Sequence, residues 1–205
     1  MNYALAFKAF FGISPNNIKT DVIITNITPI FCGVIAHAEV NNSYETGFYK
    51  VTEIKLKNGR KYHIIKITSG SNIIDVIKLL TMYVKKIYII GIAGCLDYSH
   101  SIGDVCEPTV FTNEKFDFNY VNNEIVICQT HGLIQSEKFY RELQCKGVTL
   151  VDMECYDVFE LCRSAHIPFK YIVQISDFPL IAPFYSLIPQ QIKIEQILNL
   201  IEHDK

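Results

Sequence analysis

Val151-Asp152-Met153-Glu154-Cys155-Tyr156-Asp157-Val158-Phe159-Glu160-Leu161-Cys162, followed by Ile167-Pro168-Phe169-Lys170-Tyr171-Ile172-Val173-Gln174-Ile175-Ser176-Asp177, is the stretch whose reading decides the fold. Its first half is a strand end running into a helix. Val158, Leu161 and Cys162 fall three and four apart, the spacing of one buried helical face. Its second half is an apolar run bounded by Pro168 and by Ser176-Asp177, a buried strand ending in a carboxylate. Two acids, Glu154 and Asp177, therefore stand at the ends of regular elements. In an open α/β sheet, ligands bind beyond such ends.

Upstream, Ile87 to Leu96 is continuously apolar and carries Gly91-Ile92-Ala93-Gly94, as a central strand covered on both faces would. Its glycines let the backbone approach something closely. Ser101-Ile102-Gly103-Asp104-Val105 turns into another strand, Glu124 to Cys128 is a short apolar strand, and Ser136 caps a helix running to Leu143. Val51 to Leu56 alternates, Asn58-Gly59 supplies a turn, and Tyr62 to Ile67 returns as the second strand of a hairpin. Thr68-Ser69-Gly70-Ser71-Asn72 then leads into a helix with Ile73, Ile74, Ile77 and Leu80 on one side. A Ser/Gly turn there suits an anion or a sugar hydroxyl, or is a plain strand-to-helix turn. An amphipathic helix around Ile192 to Ile201 closes the chain, and Tyr3 to Phe11 reads as a first core strand. Strands alternate with helices in the second half and dominate the first. The pattern is α/β with a mixed sheet curled toward a barrel, and residues 1–205 read as one domain.

The 205 residues are 49% apolar and 20% charged, a soluble globular profile. A net charge of −2 without a basic run gives no footprint for nucleic acid or an anionic membrane. No apolar run reaches the roughly 20 residues of a membrane helix. Met1 to Phe11 lacks the basic and small-residue flanks of a signal peptide. Seven cysteines, an odd number without short paired spacing, read as reduced thiols in a cytoplasmic protein. The six histidines show no metal-ligand spacing and no Cys-x-x-Cys occurs. Neither a metal nor an organic cofactor is expected, and no dinucleotide or nucleotide-triphosphate sequence is present.

Asp177, just past a buried strand and after Ser176, is placed to protonate a leaving group, or is a loop acid. Glu154, at a helix start beside Met153, can accept two hydroxyl hydrogen bonds from a ribose, or is a carboxylate favoured by the helix dipole.

Gly91-Ile92-Ala93-Gly94-Cys95-Leu96, Ile102-Gly103-Asp104-Val105, Val151-Asp152-Met153-Glu154 and Ile175-Ser176-Asp177 resemble, in order and spacing, the motif series of the nucleoside phosphorylase and nucleosidase superfamily. The likeness is nearest to the methylthioadenosine/S-adenosylhomocysteine nucleosidases and related hydrolases, and spans residues 60–200. It implies a three-layer α/β sandwich with a twisted, partly barrel-like mixed sheet flanked by helices, assembled as a homodimer or larger. It implies a purine nucleoside as the small-molecule substrate. Asp177 matches the acid that protonates the base at N7. Met153 and Glu154 match the sugar-binding pair, and Ala93 and Gly94 the backbone wall of the pocket. His131 and Leu133 fall where the family contacts the base, and Ser69 falls in its Thr-Gly-x-Gly turn.

Two departures bear on the reaction. Phosphorylases of the superfamily carry Arg and Ser or Thr, to hold phosphate, where this chain has Ile89 and Ile92. That favours water as the nucleophile. The hydrolases carry a water-activating Glu near the end of the first strand, where this chain has Phe10 or Phe11; Glu39 or Glu45 are the other acids that could take that role. The implied activity is hydrolysis of the N-glycosidic bond. The alternatives are a purine nucleoside phosphorylase and a nucleoside-binding protein that has lost the water-activating acid.

Overall fold

The structure is a computed structural model that describes residues 3–18, 20–67, 73–115, 124–132, 135–181 and 191–204. Among them, ten strands and six α-helices form an α/β fold with a mixed sheet, hydrogen-bonded in the order β2-β3-β4-β1-β5-β9-β8-β7, while β10 pairs with β5 and β6. The chain divides into two compact units, Met1–Ile90 with Glu160–Lys170 and Ile194–Lys205, and Gly91–Phe159 with Tyr171–Lys193.

In the first unit, β1 (Asp21–Thr25) lies between β4 (Lys61–Ile67) and the beginning of β5 (Ile87–Cys95), parallel to both. Val22, Ile23 and Ile24 are completely buried, so both faces of β1 are covered and its side chains need not alternate. β3 (Tyr49–Lys55) and β4 make the expected hairpin. Gly59 takes φ +79° in its turn, a conformation that favours glycine, and Asn58 Oδ1 accepts the Arg60 N–H at 2.9 Å. The helix α3 (Ile73–Leu80) buries Ile73, Val76, Ile77 and Leu80, one stripe at helical spacing. Helices α2 (Thr28–Ala36) and α6 (Ile194–Glu202) meet where Gly33 leaves room for Ile194: a Cβ on Gly33 would come within 2.4 Å of Ile194 Cγ1.

One expectation fails in this unit. Tyr3–Phe11 is a helix, α1, not a strand. Its residues Ala4 to Phe11 include no β-branched side chain, and Phe7 and Phe11, four apart, are its buried pair, with ring centroids 4.7 Å apart. Phe7 also meets Tyr83, and Phe11 meets Tyr49. Strand β2 (Glu39–Glu45) carries no apolar alternation. Among the described residues it pairs only with β3, at the edge of the sheet, and cross-strand polar contacts such as Ser43 to Thr52 (3.1 Å) line it.

In the second unit, the end of β5 runs antiparallel to β9 (Leu150–Asp152), with Gly94 opposite Val151. β9 is parallel to β8 (Val126–Gln129), and β8 to β7 (Val110–Asn113). The helix α4 (Glu137–Cys145) has the expected cap: Ser136 Oγ accepts the Phe139 N–H at 3.2 Å. Tyr140 and Leu143 bury its apolar side. The short β6 (Val105–Cys106) pairs antiparallel with β10 (Phe169–Asp177), and α5 (Cys155–Ser164) follows β9. No described helix is long and apolar enough to cross a membrane.

The helical reading of α1 gives a direct test. Phe7→Ala should cost about 3–5 kcal/mol in urea unfolding, because a fully buried ring is lost, whereas Leu5→Ala at an exposed position should change stability by less than about 0.5 kcal/mol.

Candidate functional site

Strand β9 ends by turning sharply into α5, and Asp152 makes that turn. Its Oδ1 accepts the N–H groups of Glu154 and Cys155, each at 2.7 Å, and the hydroxyl of Tyr171 on β10 at 3.1 Å. Asp152 thus caps the start of α5 with a side chain, satisfying donors that the first turn leaves open. Its carbonyl accepts the Thr130 N–H at 2.8 Å, which ties the segment after β8 to the same turn. Next to it, Gln129 and Asp157 exchange hydrogen bonds of 2.7 and 2.8 Å.

Met153 and Glu154 occupy the turn itself. Met153 is 44% exposed, unusual for a large apolar side chain next to a fully formed core. Glu154 is half-buried; burial first, and then the neighbouring Asp152 charge, push its carboxyl up to about 7. Burial also raises Asp152, against the opposing pull of its backbone and Tyr171 hydrogen bonds.

On the other side of β5 stands the end of β10. Ser176 is buried, and its hydroxyl lies 3.2 Å from the Ala93 carbonyl and 2.5 Å from Asp177 Oδ1. A hydroxyl has one hydrogen, and the shorter contact is to the carboxylate. Asp177 is therefore held by its sequence neighbour, whose hydroxyl stands beside the β5 backbone. Tyr140 of α4 lies near enough to feel Asp177: burial raises the phenol most, and the Asp177 charge adds to it. The Ile102-Gly103-Asp104-Val105 stretch braces the same strand end. Gly103 N–H donates to the Ile175 carbonyl at 2.8 Å, Ile175 N–H to the Asp104 carbonyl at 2.9 Å, and Gln174 Nε2 to the Gly103 carbonyl at 2.7 Å. Lys193 pairs with Asp104 at 2.9 Å and, ahead of a backbone N–H, holds its carboxyl below the usual range.

The structure brings together Asp177, Ala93, Gly94, Met153 and Glu154 within one unit: Ala93-Gly94 lies between the Ser176-Asp177 end of β10 and the strand that leads into Met153-Glu154. His131 follows Thr130 in the same unit, its N–H bonded to Glu114 Oε1 at 2.8 Å. Ser69 and Leu133 lie outside the described residues. The two glycines of the Gly-x-x-Gly differ. A Cβ on Gly91 would meet nothing within 4 Å, but one on Gly94 would fall 2.7 Å from Pro179 Cγ and 3.0 Å from Val151 Cγ2. The close approach at Gly94 is thus made by the chain's own proline, just past Asp177.

Sequence reading missed Asp152, Tyr171 and Tyr140. Asp152 was open to discovery as an Asp just ahead of a helix; the tyrosines lie on other elements, and their hydroxyl positions leave no trace in spacing. Among the described residues, no group of three or more His, Cys, Asp and Glu side chains is disposed to hold a metal ion.

No protein-family model matches the chain, and no curated protein matches it in sequence. Solved structures do match in fold. Futalosine hydrolase of Helicobacter pylori aligns with a TM-score of 0.71 at 13% identity, over 92% of this chain and 99% of that one. A P. knowlesi homologue of P. falciparum PNP aligns at 0.71 and 13%, over 94% and 91%. A methylthioadenosine/S-adenosylhomocysteine nucleosidase from Colwellia psychrerythraea, solved in complex with adenine, aligns at 0.63 and 15%, over 78% and 83%. The chain has the fold of the nucleoside phosphorylases and nucleosidases.

Two outcomes follow from the geometry. Gly94→Ala should destabilise the protein by about 1–3 kcal/mol through overpacking against Pro179, and Gly91→Ala should not, as thermal or urea unfolding will show. Glu154 titrates near the ordinary 4.5 when unfolded and at about 7 when folded. Within that window the folded state binds the extra proton, so stability falls as pH rises and levels off above the folded value. The melting temperature of Glu154→Gln should therefore gain on the wild type between about pH 5 and about pH 8; a gap constant with pH would contradict the desolvation of Glu154.

Proposed function

We propose that this protein hydrolyses the N-glycosidic bond of a purine nucleoside of the methylthioadenosine/adenosylhomocysteine type. The observation that carries this reading is the pair of strand ends on either side of β5: the Ser176-held Asp177 and the Met153-Glu154 turn flank the Ala93-Gly94 backbone. The adenine complex of a nucleosidase with this fold supports a purine as the base.

In this reading Asp177 donates a proton to N7 of the base as the C1′–N9 bond breaks and its electron pair passes to the base. Glu154, when ionised, accepts hydrogen bonds from the sugar hydroxyls, and Met153 packs on the sugar. Water adds to C1′. Ile89, which is buried, and Ile92 stand where the resembling phosphorylases would hold phosphate, and neither side chain can bind an anion.

One observation favours a second reading, nucleoside binding without turnover. The first strand is β1 rather than Tyr3–Phe11, so the water-activating acid is sought after Thr25 and not near Phe10. The residues there are Asn26-Ile27-Thr28-Pro29, which offer no carboxylate. Losing a general base costs about 10²–10⁴-fold in rate, so hydrolysis assisted only at the leaving group would be slow.

The test is to incubate the purified protein with methylthioadenosine, adenosylhomocysteine, adenosine and inosine, with and without phosphate, and to follow base release. Phosphate-independent release, reduced at least about 10²-fold in Asp177→Asn, is expected. Equal rates in wild type and Asp177→Asn would sink the acid assignment. Strict phosphate dependence would make the protein a phosphorylase, and saturable binding without product would select the second reading.

A further inference from the structure

The group that organises the Met153-Glu154 turn is Asp152, which the proposed reaction does not use. Three donors converge on its Oδ1: two are the backbone N–H groups of Glu154 and Cys155, and the third is the Tyr171 hydroxyl, from a different strand. A helix cap needs only backbone donors. The tyrosine bond, between residues 19 apart in sequence, additionally ties the turn to β10, the strand that ends in Asp177. Tyr171 is 3% exposed, and its phenol is pushed well above the ordinary value by burial and then by the Asp152 charge, so it stays a donor throughout the physiological range.

The same arrangement places two carboxylates two residues apart. The titratable groups around Glu154 are Asp152 from β9, Tyr171 from β10 and Cys155 from α5, with Cys128 of β8 facing Cys155. Burial pushes the Cys155 thiol well up and that of Cys128 up to about 12, so neither ionises near neutrality. Asp152 is the charge that Glu154 faces.

We propose that Asp152, anchored by Tyr171, is a positioning residue of the site: it fixes the turn that presents Glu154 and sets a second carboxyl beside it. This rests on the reading of the site as a nucleoside site. Sugar hydroxyls donate to an ionised Glu154, so affinity should rise with pH and level off above about 7.

Asparagine separates the two roles. In Asp152→Asn the side-chain oxygen still accepts the two N–H groups and the tyrosine hydroxyl, but the charge is gone. Asp152→Ala removes both, and Tyr171→Phe removes only the anchor to β10. Calorimetric titration with methylthioadenosine across about pH 5 to pH 8 reads the outcome. The Asn variant should bind several-fold more tightly than wild type near pH 6 and equally near pH 8. The Ala variant should bind about tenfold or more weakly at every pH, and Tyr171→Phe several-fold more weakly near pH 8. Coincident profiles for wild type, Asn and Ala would overturn the proposal, as would an Asn variant as weak as Ala at every pH.

A readout without nucleoside keeps this independent of the functional reading. Carbon-13 NMR of labelled glutamate carboxyls in the free protein should show the Glu154 midpoint lower in Asp152→Asn than in wild type. That shift with no binding of any nucleoside would refute the nucleoside reading while supporting the Asp152–Glu154 coupling. An unmoved midpoint would overturn the coupling itself.

Discussion

Both strands that end in candidate site residues, β9 and β10, hydrogen-bond to β5. That pairing is the constraint on which the site depends. A strand paired along both edges spends its backbone donors and acceptors on its neighbours, and continuous burial leaves no place for polar side chains. β5 accordingly stays apolar to its end and contributes backbone alone: the Ala93 carbonyl that meets Ser176, and a Gly94 whose missing side chain is replaced by Pro179. The polar chemistry moves to the ends of the adjoining strands, where Asp177 and the Asp152–Glu154 turn meet fixed partners without breaking a ladder.

The two ends differ electrostatically. At Asp177 the fixed partner is a neutral hydroxyl, with the brace of Gly103, Asp104 and Gln174 carried by backbone and amide bonds. At Glu154 the fixed partner is another carboxylate. Like charges so close are unfavourable, and the arrangement persists because Asp152 collects three donors in one place, enough to offset part of its desolvation. Burial raises both carboxyls, and at Glu154 the Asp152 charge adds to it. A residue that gains little from the fold in its charged form is one whose charge is available to a ligand that brings its own donors.

What could be read from the chain follows from where the information lies. Helices α3, α4 and α6 carry a one-sided apolar stripe, β5 an unbroken apolar run, and β10 a largely apolar one interrupted by Lys170 and Gln174, so both kinds of element show directly. The cap at Ser136 and the turn at Asn58-Gly59 are local chemistry and equally legible. α1 was misread because Phe7 and Phe11 fall on one face in a strand as well as in a helix: positions four apart satisfy both periods. β2 was missed because an edge strand with polar side chains on both faces has no alternation to detect. At the site, Asp177, Glu154 and the Ala93-Gly94 backbone were legible because each stands at the end of a recognisable element. Tyr171 sits inside an apolar run, where nothing in the sequence marks its hydroxyl as the one that meets Asp152.

The misreading of α1 also changes where the proposed chemistry must be sought. With Tyr3–Phe11 a helix that buries Phe7 and Phe11, the aromatic residues there account for themselves as core and need no role as substitutes for an acid. The strand that takes the first place is β1, parallel to β5 and followed by Asn26-Ile27-Thr28-Pro29 and the helix α2. A proline at the start of that helix fits a first turn where no N–H partner is required. None of these four side chains can act as a general base. On the proposed reading, then, activation falls on the departing base, with Asp177 positioned by Ser176 and a braced strand end. Such an enzyme gains most from stabilising the base as it leaves, so its rate should track the leaving-group acidity of the nucleoside more steeply than that of a nucleosidase that also activates its water.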